Sequence, residues 1–350
     1  MTQAPAARTA PYADLDPATV LQALHCAGFD ADGRLLQLNS YENRVFQAHL
    51  EDGRVVVAKF YRPGRWSDAQ IIEEHLFSQE LAEADLPVVA PLPLQARVAG
   101  DEGWQLDPGS PTLGHFRCDT GATFRIAVTE RRAGRAPELE HPETLAWLGR
   151  LIGRLHMVGA RGRFEHRRQL TPRTLGHDAR QRLIDGGFVS PEMDSGWLRA
   201  SGAALAEVDA AFARHGALAT LRLHGDCHPG NVLWRDEGEH AGPNFVDFDD
   251  CCTGPAVQDL WMLLPGERGA VDSSLHHLMD GYRDFRDFDD RELLLIEPLR
   301  TLRMIHHSAW IAERWADPAF PIAFPWFGSP NYWQQQAAEL QEQLERMQDV

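Results

Sequence analysis

Between two short apolar runs, residues 221–223 and 232–234, the chain carries His224-Gly225-Asp226-Cys227-His228-Pro229-Gly230-Asn231, and a third run at 244–248 contains Asp247. Runs this short, closely spaced and bounded by Gly, Pro and Asn, read as strands rather than helices. A connection between strands lies at the surface with its ends fixed, so its side chains are offered from a rigid support. Asp226 and Asn231 are five residues apart, and Asp247 follows sixteen later. Three hard oxygen donors at such positions suit one chemistry well: a carboxylate to orient a hydroxyl, and two oxygen ligands for a divalent cation. Asp and Asn also cap turns, which is the plainest alternative for any one of them. A zinc site from Asp226, Cys227 and His228 is weaker, because adjacent residues of a loop rarely point at one metal.

The chain has 350 residues, 43% of them apolar, with ten Trp and sixteen Phe. That is enough to fill a large core, and the length favours two lobes over one. Lys and Arg number 34 against 51 Asp and Glu, a formal charge of −17. Nucleic acid is therefore not an expected partner, although a nucleotide needs only a local group of donors and a cation. No apolar run approaches the roughly 18 residues of a membrane span, so no membrane partner is expected. The Ala-rich start lacks the apolar segment of a secretory signal and reads as a tail over residues 1–14. Five Cys without any C-x-x-C argue against a disulfide framework or structural zinc, and point to the cytoplasm.

Residues 33–60 read as strands, with Asp52-Gly53 between apolar runs as a hairpin turn. Ser67 and Gln70 have capping-box spacing for a helix running to about Leu81, and Pro87, Pro91 and Pro93 follow it. After Arg131-Arg132-Ala133-Gly134, a linker, Leu145, Leu148, Leu151, Ile152, Leu155 and Val158 recur at helical spacing from about residue 142 to 158. Helical patterns then dominate, apart from the three short strands. The expected fold is α+β and two-lobed: a small, mostly-β N-lobe at 15–130 for nucleotide phosphates, and a larger, mostly-α C-lobe at 131–350 with the catalytic loop, metal site and acceptor side.

Lys59 ends the alternating run Val55-Val56-Val57-Ala58-Lys59-Phe60. A kinase lysine that holds the α- and β-phosphates lies at this place, on the third strand. Glu73 and Glu74 on the following helix are its candidate ion-pair partners. The phosphate-covering G-x-G-x-x-G of protein kinases is absent. The corresponding turn, Asn39-Ser40-Tyr41-Glu42-Asn43, would contact phosphate through backbone N–H groups and the Ser40 hydroxyl. No Walker A motif occurs, which sets aside a P-loop NTPase.

The run H-G-D-x-H-x-x-N followed by V-D-F-D resembles the catalytic loop of the aminoglycoside phosphotransferase and choline kinase superfamily. Leu38-Asn39-Ser40-Tyr41-Glu42-Asn43-Arg44-Val45, the segment 66–75, and the Ala319-Phe320-Pro321 to Pro325-Trp326-Phe327-Gly328 phrases resemble, within it, the bacterial stress response kinases. The similarity runs from about residue 15 to 345. It implies a protein-kinase-like fold, cytoplasmic Ser/Thr protein kinase activity, and ATP with Mg²⁺. It further implies Asp226 as catalytic base, Asp247 beside it at the chemical centre and with Asn231 a Mg²⁺ ligand, Ser40 in the phosphate loop, and Glu74 rather than Glu73 as partner of Lys59. A protein Ser or Thr is then the expected acceptor, with autophosphorylation and a monomeric chain. By the same analogy Asp259 would hydrogen-bond the catalytic loop.

Other residues read as structural. His156 closes a helix and is expected to pack there. Arg303, His306 and His307 share helical spacing with Trp310 and read as core and rim. Two further functions remain open: a kinase for a small alcohol such as choline, homoserine or an aminoglycoside, which shares all of this chemistry except the acceptor, and a nucleotide-binding pseudokinase, which would not need a base and two metal ligands.

Overall fold

A computed structural model describes residues 10–95, 103–190, 192, 194–238, 240–264 and 268–349, and of 268–272 the backbone alone. The chain forms two compact units. The first comprises residues 1–82, 89–133 and 316–319, and the second 83–88, 134–315 and 320–350.

The first unit is built on a six-stranded antiparallel sheet. Its strands are β1 (Ala31–Leu38), β2 (Arg44–Leu50), β3 (Val55–Phe60), β4 (Trp104–Asp107), β5 (Ser110–Arg117) and β6 (Thr123–Glu130), in the order β1-β2-β3-β6-β5-β4. Helix α1 (Pro17–Cys26) buries Val20, Ala23 and Leu24 with Phe46, Val56, Ala58, Phe60 and Phe124 on one face of the sheet. Helix α2 (Asp68–Glu83) places Ile71 with Tyr61, Leu113 and Ala127 in a second cluster. The period-2 alternation of a strand assigns the residues of β3 to these two sides. The capping box is present: Ser67 N–H donates to Gln70 Oε1 at 2.9 Å, and Gln70 N–H to Ser67 Oγ at 3.3 Å.

The β2–β3 hairpin is closed differently from the two-residue turn expected. Leu50 N–H bonds Arg54 O at 2.9 Å, and Gly53 alone is left-handed, at φ 86°. A three-residue turn with glycine in that position matches the strand twist, and Asp52 stays on the ordinary side of φ while its carboxylate accepts Arg54 N–H. Residues 1–9 of the expected tail lie outside the described residues. Residues 10–14 are not tail-like: they turn and bury Tyr12, whose hydroxyl lies 3.2 Å from the Glu42 and Phe60 carbonyl oxygens.

The second unit is mostly helical: α3 (Pro142–Gly159), α4 (Asp178–Asp185), α5 (Ser195–His215), α6 (Gln258–Trp261), α7 (Arg268–Arg283), α8 (Ile296–Glu313), α9 (Ala319–Ala323, its first residue in the other unit) and α10 (Pro330–Gln348). Helix α3 buries all six apolar residues that marked it in the sequence. It packs on α7 at glycine contacts, where a Cβ at Gly149 would meet Leu278 O and one at Gly281 would meet Ala146 O. Helix α5 packs on α8 and α10. Two small antiparallel pairs complete the unit: β7 (Leu221–Leu223) with β10 (Cys252–Gly254), and β8 (Val232–Arg235) with β9 (Gly242–Phe245). The third acidic-site strand thus ends at Phe245 and not at 248. Asp247 is left-handed (φ 61°, ψ 63°), and Phe248–Asp250 form a 3₁₀ turn.

Candidate active site

In the first unit, Lys59 pairs in register with Val45 of β2 and Ala127 of β6, at the middle of the sheet. Its alternation with Val56, Ala58 and Phe60 turns it away from the α1-side core, and its ammonium lies 5.1 Å from the Tyr61 ring centroid. The capped start of α2 then sets Glu74, whose Oε1 lies 3.3 Å from Lys59 Nζ. Both side chains are largely buried, an arrangement tolerable for charges only when they are paired.

The turn 39–43 contains half-buried Ser40 and is held from below without glycine. Arg62 Nε donates to Glu42 O at 2.9 Å, and Arg62 Nη2 to Tyr41 O at 3.0 Å. The same guanidinium is anchored by Asp317 Oδ2 at 2.8 Å, and Arg62 N–H bonds Asn43 Oδ1 at 3.0 Å. Neither Arg62 nor Asp317 stands out in the sequence. They are 255 residues apart and carry no local pattern.

In the second unit, the run from His224 to Asn231 leaves β7 and enters β8 through a 3₁₀ turn, Pro229–Asn231. Buried Asp259 accepts His224 N–H and Gly225 N–H, each at 2.8 Å. Gln258 Nε2 donates to Gly225 O at 2.9 Å. Gly225 itself needs φ +85°, and a Cβ there would run into Asp250 O. The loop is tied to the Asp247 segment twice: the His224 ring contacts Val246 O at 2.9 Å, and Val246 N–H donates to Asn231 O at 3.0 Å. Arg167, also buried, donates to the carbonyls of Cys251, Phe248 and Asp249. Four side chains, those of Arg167, His224, Gln258 and Asp259, therefore fix two short segments. That over-determination can sustain a left-handed Asp247, a conformation costing roughly 1–2 kcal/mol in an L-residue.

These ties bring Asp226 and Asn231 together: Asn231 Nδ2 donates to Asp226 O at 3.0 Å and lies 3.5 Å from Asp226 Oδ2. Asp226 Oδ1 accepts a hydrogen bond from Arg303 Nη1 of α8 at 2.6 Å, and its Oδ2 lies 3.5 Å from His228 Nε2. Burial alone would raise the Asp226 pKa. The His228 hydrogen bond and the Arg303 charge outweigh it, leaving a value of about 2. Asp226 is thus a standing carboxylate. Arg303, read as core and rim from its spacing, belongs to this site, a placement that helical periodicity could not reveal. Burial also raises the Cys227 thiol and pushes Cys252 to about 12, so both stay protonated and unreactive.

Residues 34–295 match the profile of the phosphotransferase enzyme family. The chain belongs to this family. It is 38% identical to stress response kinase A of Escherichia coli (strain K12), over 97% of this chain and 95% of that one. It is 39% identical to serine/threonine protein kinase RdoA of Salmonella typhimurium (strain LT2), over 95% and 93%. Among solved structures, amicoumacin kinase hAmiN in complex with AMP-PNP, Ca²⁺ and Ami superposes with a TM-score of 0.70 at 18% identity, covering 95% of this chain and 93% of that one, which establishes the two-lobed kinase-like fold. Among the described residues of this phosphotransferase no helix is long and apolar enough to cross a membrane.

Next to Arg303 on α8, His306 contacts Arg168 Nη1 through Nε2 at 3.2 Å, and Arg168 in turn pairs with Asp250 at 2.9 Å. Burial, and then the Arg168 charge, hold the His306 pKa down at about 3, against 6.5 for a free imidazole. Below pH ~6.5 the unfolded chain binds a proton that the folded chain refuses until about pH 3. The contribution is therefore whole above pH ~6.5 and falls by roughly 1.4 kcal/mol per pH unit below it. His306→Gln, which keeps an acceptor for Arg168, is expected to flatten the decline of melting temperature between pH 6.5 and 4. An unchanged slope would show that His306 does not govern it.

Proposed function

We propose that this phosphotransferase is an ATP- and Mg²⁺-dependent Ser/Thr protein kinase, and that Asp226 takes the proton of the acceptor hydroxyl. The observation that carries the reading is the Asp226 carboxylate, kept ionised by His228 and Arg303 and fixed beside Asn231. The whole-length likeness to proteins named stress response kinase A and serine/threonine protein kinase supports the acceptor class.

The donor set suits a hard divalent cation. Asn231 commits its amide N–H to Asp226, which leaves the carbonyl oxygen for a ligand role, and Asp247 adds a carboxylate on a rigidly tied segment. Asn231 and Asp247 would hold Mg²⁺, which when bound offsets the charge of the nucleotide phosphates. Lys59, held by Glu74, supplies a point charge to the phosphates, and Ser40 with the backbone N–H groups of 39–43 covers them. In the transfer the acceptor oxygen bonds to the γ-phosphorus as its bond to the bridging oxygen of ADP breaks, and the hydroxyl proton passes to Asp226. The chain acts as a cytoplasmic monomer on protein substrates, itself included.

Incubation with labelled ATP and a generic protein acceptor tests this. Label should appear on Ser or Thr of both the kinase and the acceptor, and disappear with a chelator. Lys59→Ala should raise the apparent KM for ATP by about tenfold and lower turnover. ATP consumption only on addition of a small alcohol would replace the protein acceptor with that class.

A further inference from the structure

Helix α8 offers Arg303, His307 and Trp310 at the i, i+4, i+7 spacing of one helix face. Arg303 is 44% exposed, yet its guanidinium is fixed on Asp226 Oδ1, with Met262 Sδ 3.8 Å from the same nitrogen. One Arg303 nitrogen suffices for that contact, and a guanidinium has five donor hydrogens. The rest of the charge therefore stands beside the carboxylate that the acceptor hydroxyl must reach. The next carboxylate along the site, Asp250, is matched by Arg168 at 2.9 Å. An aromatic alternative for holding a cation is also taken: His307 stacks on Trp310 with centroids 5.7 Å apart, and Arg314 lies 5.3 Å from the Trp310 centroid.

We propose that Arg303 selects the acceptor by charge, favouring a hydroxyl flanked by carboxylates and disfavouring one flanked by cationic groups. This rests on the reading of Asp226 as the base for a protein hydroxyl. An acceptor bearing an ammonium or guanidinium beside its hydroxyl meets a like charge a few ångströms from the point of proton transfer, and finds the Asp226 charge already offset. A carboxylate on the acceptor pairs instead with the outward guanidinium edge, where a planar bidentate match is available. Because Arg303 is partly exposed and screened, the discrimination should be modest, about tenfold.

The test uses two peptides with the same central Ser, one flanked by Glu and one by Arg, at saturating ATP and Mg²⁺. Wild-type protein should favour the acidic peptide about tenfold in kcat/KM, mainly through KM. Arg303→Gln should bring the ratio close to one, and Arg303→Glu should reverse it. Taking the ratio within each variant cancels any change in Asp226 itself, and the Gln variant, the milder of the two, guards against misfolding by the Glu one. Transfer with the same peptide ratio in all three proteins would overturn the proposal while leaving the kinase reading intact. No transfer by wild type to either peptide would overturn the kinase reading, and the acceptor proposal with it.

Discussion

Asp226→Asn is expected to lower turnover by about 10²-fold or more while the melting temperature and the apparent affinity for ATP stay close to wild type. Asparagine has the shape of aspartate, so the turn from His224 to Asn231 keeps its packing, and the amide oxygen can still accept the Arg303 hydrogen bond. What is lost is the proposed base. The side chain of Asp226 is only 24% exposed, but its ion-pair partner is 44% exposed, so the pair itself adds little stability. The two readouts separate chemistry from structure. Near-normal turnover would remove Asp226 from its proposed role. A large fall in melting temperature would show that the carboxylate holds the loop instead of acting from it.

What was legible in the sequence was governed by local rules. The Ser67/Gln70 box starts α2 because its two hydrogen bonds span three residues, and α3 declares itself through six apolar positions that the fold buries. The acidic run stands out for a related reason: its residue types and spacing mark oxygen donors, and the fold brings two of them, Asp226 and Asn231, together. The sequence reading failed where tertiary contacts override the local preference. The run 244–248 has strand composition, yet β9 stops at Phe245. Val246 is held by both His224 and Asn231, and Arg167 collects the carbonyls of the turn that follows, so Asp247 adopts a conformation its own sequence would not select. Arg62 with Asp317, and Arg303 with Asp226, were out of reach for the same reason. Each pair is joined across many residues, and nothing in the neighbourhood of either partner announces the other.

Asp259→Ala is expected to act in the opposite way to Asp226→Asn, with a loss of folding stability on the order of 3–5 kcal/mol and a loss of activity that follows from it. Asp259 is 1% exposed and touches no reacting group in the proposed mechanism. Its two oxygens accept His224 N–H and Gly225 N–H, and Oδ2 also lies 3.1 Å from His156 Nε2, whose ring in turn meets the Tyr282 hydroxyl at 2.9 Å. Truncation leaves two backbone donors and an imidazole without this acceptor in a region closed to water. Each such group costs roughly 1–3 kcal/mol when left unpaired. The cost falls directly before Asp226, because Gly225 depends on a left-handed φ and on close approach to Asp250 O. Asp259→Asn should be intermediate: one amide oxygen can serve one of the two N–H groups, while the amide nitrogen faces the other as a second donor. Thermal melts of the three variants decide the matter. The order wild type, Asp259→Asn, Asp259→Ala, with Asp226→Asn near wild type, is the expected result. A stable Asp259→Ala protein with reduced turnover would instead make Asp259 a participant in the chemistry, not a support for it.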